Sequence, residues 1–179
     1  LLTNPIHPDA LTDVQRLYYF WYRSYNRTGG NLPSFSSNPE LTYIWVHHNA
    51  FTGVVPNLAA NQSIYYARFS NNRLSGQVPT YRNLSRLRYL FLYNNQLTGI
   101  GDFENLPALQ YLYLHNNQIS GEIPDFSECP RLYYLILFNN QFTNYKSGAL
   151  KENYRIRYID LSNNNLTQQA MEQLIDDLY

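Results

Sequence analysis

The sequence is poor in cysteine, lysine and long apolar segments, and each shortage excludes a class of protein. With Cys129 as its one cysteine, the chain cannot be held together by internal disulfides. No apolar run reaches about 18 residues, which predicts no insertion into a membrane. The 13 basic residues, of which only Lys146 and Lys151 are lysines, balance 13 acidic ones, so no whole-chain field attracts nucleic acid.

What the sequence has instead is one segment that recurs along its whole length. Its clearest copy is LRYLFLYNNQLTG at residues 87–99. A degenerate copy begins at Leu17 and carries Tyr25 in place of the asparagine. In the other copies the asparagine recurs in steps of 22 to 24 residues, at Asn49, Asn72, Asn95, Asn117, Asn140 and Asn164.

The pattern LxxLxLxxNxL at this period resembles the leucine-rich repeat superfamily. The resemblance implies an α/β solenoid of about seven repeats of 22–24 residues, with a short parallel β-sheet on the concave face and an irregular convex side. We expect one domain over residues 1–179. It would comprise an N-terminal cap (1–16), the repeats (17–166) and a C-terminal capping helix (167–179).

The spacing of the repeat has a physical reason. Side chains of a strand alternate between its two faces, so two strand positions and the position two past the asparagine point into the solenoid. In the central copy these residues are Leu90, Leu92 and Leu97. The asparagine also points inward, where its amide can bond the backbone groups left open as the chain turns out of the strand. The six asparagines are therefore expected to form a structural ladder.

After the asparagine, several copies continue with Thr-Gly or Ser-Gly and then a proline, as in Ser75-Gly76-Gln77-Val78-Pro79. Glycine permits a tight corner, and proline ends a short extended run. This L-[ST]-G-x-[IL]-P pattern resembles the plant extracellular subclass of leucine-rich repeats. The tyrosine-rich repeats without paired cysteines, and the final run from Asn163 to Tyr179, are also similar to predicted leucine-rich repeat proteins of aquatic bacteria and their phages.

Both ends of the chain carry weaker signals. Pro8 to Val14 is expected to form a short helix or turn over the first copy. Thr167 can cap a helix over 168–179 that places Ala170, Met171, Leu174, Ile175 and Leu178 on one face. Because the chain begins with leucine rather than methionine, we expect it to belong to a larger chain or assembly.

The residues that point outward from the strands form three columns on the concave face. The first is tyrosine in all seven copies, from Tyr19 to Tyr158. Rings that stack along a sheet stabilise their neighbours, so this column is explained either by stability or by binding. The two other columns vary and are largely aromatic, from Trp21 to Asp160 and from Arg23 to Ser162. The column positions expected to bind a ligand are Tyr43, Trp45, His47, Tyr66, Arg68, Tyr89, Phe91, Tyr93, Tyr111, Tyr113, His115, Tyr134 and Phe138.

Trp21, Trp45, Phe91, Tyr113, Ile136 and Phe138 are expected to form one exposed apolar area. Such areas usually mark a binding surface. Aromatic rings with hydroxyl tips suit two kinds of partner, a carbohydrate or an extended segment of protein.

Catalytic and cofactor chemistry find no support in the repeats. No metal-binding or nucleophilic motif is present, and no cofactor is expected. His47 and His115 share a column but lie three copies apart, about 14 Å at the usual strand spacing. Cys129 precedes a strand and is interpreted as a packed structural residue. Four N-glycosylation sequons begin at Asn26, Asn61, Asn83 and Asn165.

The outward columns favour a non-enzymatic recognition module. The resemblance to extracellular leucine-rich repeats and to those of aquatic bacteria and their phages implies an extracellular adhesion role on a cell or virion surface. Its partner would be a cell-surface glycan or protein bound by the concave face. The alternative is a structural component of a virion or extracellular fibre, which docks another protein chain through the same face.

Overall fold

A computed structural model describes residues 9–14, 16–23 and 29–179 of the chain. Within these residues the chain forms short strands and one helix. In chain order they are β1 (Tyr19–Trp21), β2 (Gly29–Asn31), β3 (Tyr43–Trp45), β4 (Ala50–Thr52), β5 (Tyr66–Arg68), β6 (Ser75–Val78), β7 (Tyr81–Arg82), β8 (Tyr89–Phe91), β9 (Gln96–Ile100), β10 (Phe103–Glu104), β11 (Tyr111–Tyr113), β12 (Ser120–Ile123), β13 (Tyr134–Ile136), β14 (Gln141–Tyr145), β15 (Tyr158–Asp160) and α1 (Gln168–Leu178).

One strand from each copy joins a seven-stranded parallel sheet in the order β1-β3-β5-β8-β11-β13-β15. The pairing keeps the sequence register, so that Tyr66 lies beside Tyr89 and Ala67 beside Leu90. The chain therefore forms a stack of turns in which every repeat position becomes a column along the solenoid. The predicted solenoid with a parallel sheet and a C-terminal helix is confirmed, and seven strands make up its sheet.

The hydrophobic core lies behind this sheet, inside the turns. Leu90, Leu92 and Leu97 of the central turn are fully buried, and the equivalent residues of the second to sixth turns are buried with them. In the seventh turn Ile159, Leu161 and Leu166 are only partly buried. Each interior turn contributes the same few apolar side chains, and together they make one continuous core.

The asparagine that follows each strand is fixed by backbone partners in two turns. For Asn95, Nδ2 donates to the carbonyl of Leu92 at 2.9 Å and to that of Phe69, one turn earlier, at 3.1 Å. Its Oδ1 accepts the N–H of Leu74 at 3.0 Å. The same donor pattern occurs at Asn49, Asn72, Asn117, Asn140 and Asn164. These side chains tie each turn to the one before it and fix how the strands stack.

A second asparagine row, which the sequence pattern did not reveal, lies just before the first. Its residues adopt left-handed backbone angles, with φ between 52° and 57°, a conformation that asparagine tolerates better than most residues. The side-chain amides bond in sequence from turn to turn, each Nδ2 donating to the Oδ1 of the preceding turn at 2.6–2.7 Å. This outer row consists of Asn71, Asn94, Asn116, Asn139 and Asn163.

The corners beyond the asparagines form further parallel pairs, β2 with β4, β6 with β9 and β12 with β14. β6 and β12 end immediately before Pro79 and Pro124, because proline offers no N–H to continue the pairing. Gly53 shows why glycine occupies the corner. Its φ is +78°, and an added Cβ would lie 2.5 Å from Oδ1 of Asn31.

On the far side of the core, three buried asparagines and the cysteine occupy one column. Nδ2 of Asn61 donates to the carbonyls of Phe35 and Asn38 at 2.9 and 2.8 Å. Asn153 and Asn38 make equivalent bonds to the turn that precedes each of them. Cys129 is fully buried, and its thiol lies 3.8 Å from the carbonyl oxygen of Phe103.

The ends of the described chain differ from the repeats between them. Residues 9–13 form turns with Leu11 buried, while Pro8, also part of the expected entry segment, lies outside the described residues. At the other end Thr167 caps α1 by accepting the N–H of Ala170 at 3.2 Å. Of the five apolar residues expected on one face of this helix, only Ala170 and Leu174 are buried. Hydrogen-bonding from Tyr145 of β14 to Asp177 holds the helix to the preceding turn.

Candidate functional site

The outward side chains of the sheet form the three columns expected from strand alternation, and we call this the concave surface. Parallel pairing in register brings tyrosine beside tyrosine in every turn, and places Arg68 between Trp45 and Phe91. The third column follows the strands, where His47, Ser70, Tyr93, His115 and Phe138 succeed one another along the solenoid. All thirteen residues expected to bind a ligand therefore lie on this surface, although their role in binding is still a prediction.

The tyrosine column is a continuous stack of rings. Neighbouring ring centroids are 4.8–6.3 Å apart, and three of the six pairs are within 13° of parallel. The two end rings are the most exposed, Tyr19 at 62% and Tyr158 at 50%, because each lacks a neighbour on one side. From Tyr89 to Tyr134 the ring faces cover one another, whereas the three less parallel pairs of the column are tilted by 29–41°.

The second column is less exposed than we expected. Trp21 is 71% exposed, but Trp45, Phe91 and Tyr113 are half-buried against the tyrosine rings beside them. Ile136 was expected to be exposed, and this is wrong, since only 7% of its surface is accessible. An isoleucine side chain is shorter than the surrounding rings of Tyr113, Tyr134 and Phe138, so it lies below them.

The third column contains a second stack. The imidazole ring of His115 lies between the rings of Tyr93 and Phe138, 4.5 Å from each and within 17° of parallel. Arg68 reaches this stack from the second column, with Nη2 donating to the Tyr93 hydroxyl at 2.7 Å and Nε to the Ser70 hydroxyl at 3.1 Å. The second and third columns are thus joined in the middle of the concave surface.

Both histidines of the third column favour the neutral form. Burial, followed by the nearby charges of Arg68, His48 and Arg23, lowers the pKa of His47 to about 4. Burial also lowers the pKa of His115, and the carboxylate of Asp160 partly opposes it. Nδ1 of each ring is buried without a hydrogen-bond partner among the described residues. At neutral pH these rings contribute flat, uncharged surface.

Sequence reasoning missed a flanking column beside the tyrosines. Tyr65 packs against the rings of Tyr43 and Tyr89, and Tyr133 packs against Tyr111 and Tyr134. The signal that could have found two members is the tyrosine pair that precedes these strands, at Tyr65-Tyr66 and again at Tyr133-Tyr134.

Another member of the flanking column is Arg88. Its guanidinium lies over the ring of Tyr89, 5.5 Å from the centroid, and bonds Gln110 and Tyr65. With these residues the aromatic surface is wider than the three columns.

The sequons fall in contrasting places. Asn61 was expected as a possible glycosylation site, and this is wrong because its Nδ2, the atom that would carry the glycan, is buried and bonded to two carbonyls. Asn83 and Asn165 are exposed. Asn26 lies outside the described residues, as do Tyr25 and Thr28 of the first copy.

The described part of the chain offers no other centre for chemistry. Burial raises the pKa of the Cys129 thiol to about 12, which keeps it protonated and unreactive. Among the described residues, no group of three His, Cys, Asp or Glu side chains could hold a metal ion. No helix among them is long and apolar enough to cross a membrane. Arg82 of β7 is paired with Glu104 of β10 at 2.8 Å.

Comparison with known families and structures agrees with this geometry. A family model described as Leucine Rich repeats (2 copies) matches residues 85–128 and 107–152, and one described as Leucine Rich Repeat matches residues 155–176. The chain is similar to the ectodomain of the Arabidopsis thaliana receptor kinase GASSHO1/SCHENGEN3, in complex with CASPARIAN STRIP INTEGRITY FACTOR 2. The identity is 28% and the TM-score 0.69, over 77% of this chain and 17% of that one.

Two other solved structures show the range of the likeness. The plant peptide hormone receptor RGFR1, in complex with RGF2, is 28% identical with a TM-score of 0.69, over 77% of this chain and 23% of that one. The Leptospira interrogans protein LIC12759 is 20% identical with a TM-score of 0.65, over 82% of this chain and 38% of that one, and shares the fold. The chain thus spans between 17% and 38% of the length of these three proteins.

Proposed function

Because the chain belongs to the leucine-rich repeat family, we propose that it is a non-enzymatic, extracellular module that binds a segment of another protein through the concave surface. The observation that carries the proposal is the continuous aromatic sheet from Tyr43 to Phe138, which no other described element covers. Exposed aromatic areas of this kind are typical of protein-binding surfaces, where tyrosine, tryptophan and arginine supply most of the binding energy.

The shape of the surface suits an extended ligand. Seven strands at a spacing of about 4.8 Å give a length of roughly 29 Å, which would hold about nine extended residues. The tyrosine hydroxyl groups line this length, and each can donate or accept a hydrogen bond. A peptide backbone offers both kinds of partner at every residue.

A protein ligand is favoured over a glycan by the way the rings pack. Sugars bind aromatic residues by placing their C–H faces on ring faces. In the tyrosine column and in the stack around His115, neighbouring rings already cover those faces. The rings from Tyr89 to Tyr134 and around His115 therefore offer little free ring face to a sugar, and suit the side chains and amides of a protein better.

The similar plant ectodomains support an extracellular setting and a protein partner. The GASSHO1/SCHENGEN3 ectodomain was solved in complex with CASPARIAN STRIP INTEGRITY FACTOR 2. The peptide hormone receptor RGFR1 was solved in complex with RGF2. This chain corresponds to a minor part of each, so the resemblance supports the class of ligand and leaves its identity open.

Parallel screening of the purified protein tests the proposal. The wild type and the Trp45→Ala/Phe91→Ala variant are each exposed to a displayed library of random 12-residue peptides and to a glycan array. We expect the wild type to enrich peptides and the variant to lose them. If the wild type binds glycans and the double variant does not, the ligand is a carbohydrate rather than a protein. If the wild type binds neither peptides nor glycans, the proposal that this surface binds a ligand is contradicted.

A further inference from the structure

The concave surface carries an uneven distribution of charge that the neutral composition conceals. Of the 13 acidic residues in the chain, only Asp160 falls in the three concave columns. Its Oδ1 accepts hydrogen bonds from the N–H and hydroxyl of Ser162. The same columns contain Arg23 and Arg68, and the flanking column adds Arg88 and Arg157. The surface is therefore net positive although the whole chain is neutral.

The missing negative charge lies elsewhere on the molecule. Asp102, Glu104, Asp125 and Glu128 line a cleft away from the sheet, where Lys146 bridges to Asp125 at 3.0 Å. This separation leaves Arg68 without a paired carboxylate among the described residues. Asp160 is four strands from Arg68, about 19 Å at the usual strand spacing.

Arg68 is the most informative of these cations. It is half-buried in the centre of the surface, with Trp45 on one side and Phe91 on the other. Its guanidinium has five N–H donors and uses two of them among the described residues, to neutral hydroxyl groups of Ser70 and Tyr93.

No carboxylate in the described chain pairs with Arg68. Its Nη1 makes no hydrogen bond to any described residue. A guanidinium fork is shaped to bind a carboxylate through two parallel hydrogen bonds.

The pKa of the neighbouring His47 is lowered in part by the same excess of positive charge. Its lowered pKa is due first to burial and next to the charge of Arg68. A carboxylate placed beside Arg68 would offset that charge and raise the pKa of His47 again. The histidine is therefore a built-in reporter for an acidic group at this position.

We propose that Arg68 is a specificity-determining residue, which selects a protein segment that carries an aspartate or glutamate between the rings of Trp45 and Phe91. This inference rests on the proposed function, since it names the chemistry of the ligand for the same surface. It predicts that ligands of this protein are acidic, extended segments.

The displayed 12-residue peptide library provides the test. It is selected in parallel on the wild type, on Arg68→Gln and on Arg131→Gln, a control that removes the same charge from an exposed position outside the concave columns. We expect aspartate and glutamate to be enriched at least about threefold on the wild type and on the control, and not on Arg68→Gln. For the acidic peptide that binds most tightly, Arg68→Gln should weaken binding about tenfold. Replacing the aspartate or glutamate of that peptide by asparagine or glutamine should weaken its binding to the wild type by a similar factor.

Two outcomes overturn the inference without touching the proposed function. In the first, peptides are selected without acidic enrichment. In the second, the enrichment persists on Arg68→Gln. If no peptide is selected on the wild type, the proposed function itself fails, and the inference with it. NMR titration of the His47 imidazole gives an independent readout, because its pKa should rise when the acidic peptide binds and should stay low with the amide peptide.

Discussion

The two faces of the seven-stranded sheet differ in how strictly they keep the repeat. On the inner face, asparagine follows the strand in six turns and makes the same backbone bonds each time. On the outer face only the tyrosine column is constant, while its neighbours range from tryptophan to arginine and aspartate. The inner face repeats because every turn must satisfy the same backbone groups, whereas the outer face is free to vary. We therefore look for recognition in the variable columns.

The largest effect on stability should come from the inner face. Asn95→Ala leaves the N–H of Leu74 and the carbonyls of Phe69 and Leu92 without the amide, which should lower the free energy of unfolding by about 1–3 kcal/mol. Gln96→Ala, one residue along and exposed, is the matched control and should change it little. Equal urea midpoints for the two variants would contradict the structural role of the ladder.

Substitutions in the outer asparagine row should have the next largest effect on stability. Two substitutions at one position separate the contribution of backbone strain from that of hydrogen bonding. Asn94→Ala breaks the chain of amides and puts alanine at a φ of 55°, which costs roughly 1–2 kcal/mol for the backbone alone. Asn94→Gly also breaks the chain but tolerates the angle. Thermal denaturation should rank wild type above glycine and glycine above alanine, and an alanine variant as stable as wild type would show that the row is dispensable.

The tyrosine column should contribute less, through ring stacking. Tyr89→Leu removes one ring between Tyr66 and Tyr111 and should destabilise by about 0.5–1.5 kcal/mol per lost pair. Tyr111→Phe, at the next ring, keeps the stack and removes only the hydroxyl, so its stability should stay close to that of wild type while its ligand affinity falls. If the phenylalanine variant binds as well as wild type, the hydroxyl groups do not face the ligand.

The last effect on stability is a pH dependence that arises from His47. Its pKa is about 4 in the folded protein and about 6.5 when unfolded, so the unfolded chain takes up the proton first as the pH falls. His47 therefore costs stability progressively from about pH 6.5 down to about pH 4. As the pH is lowered from about 7.5 to about 5, the urea midpoint of wild type should fall more than that of His47→Gln. A difference that does not change with pH would contradict the desolvated site.

Periodicity was enough to predict the inner face, since one residue in a fixed register implies one column in the solenoid. It also placed every outward residue on the concave surface. It could not show how far neighbours cover one another, and for that reason Ile136 was expected to be exposed. The glycosylation tripeptide alone did not separate the buried Asn61 from the exposed Asn83. The two differ in repeat position, since Asn61 lies five residues before the strand tyrosine Tyr66 and Asn83 lies six before Tyr89.

The outer asparagine row and the flanking tyrosines were missed for a related reason. Left-handed backbone angles and side-chain amide chains depend on the stacking of turns, which a single copy of the repeat does not contain. The separation of charge between the concave surface and the acidic cleft was hidden in the same way, because composition counts charges without placing them.

The most direct test of the concave surface as the binding site is an affinity measurement on matched variants. The tightest peptide selected by the wild type is titrated against Trp45→Ala/Phe91→Ala and against Val54→Ala/Tyr154→Ala, which removes two exposed apolar side chains outside the concave columns. Circular dichroism first checks that both variants are folded. We predict a loss of affinity of at least about 100-fold, or roughly 2.7 kcal/mol, for the concave variant, and less than about twofold for the control. Unchanged affinity in a folded concave variant would contradict the account.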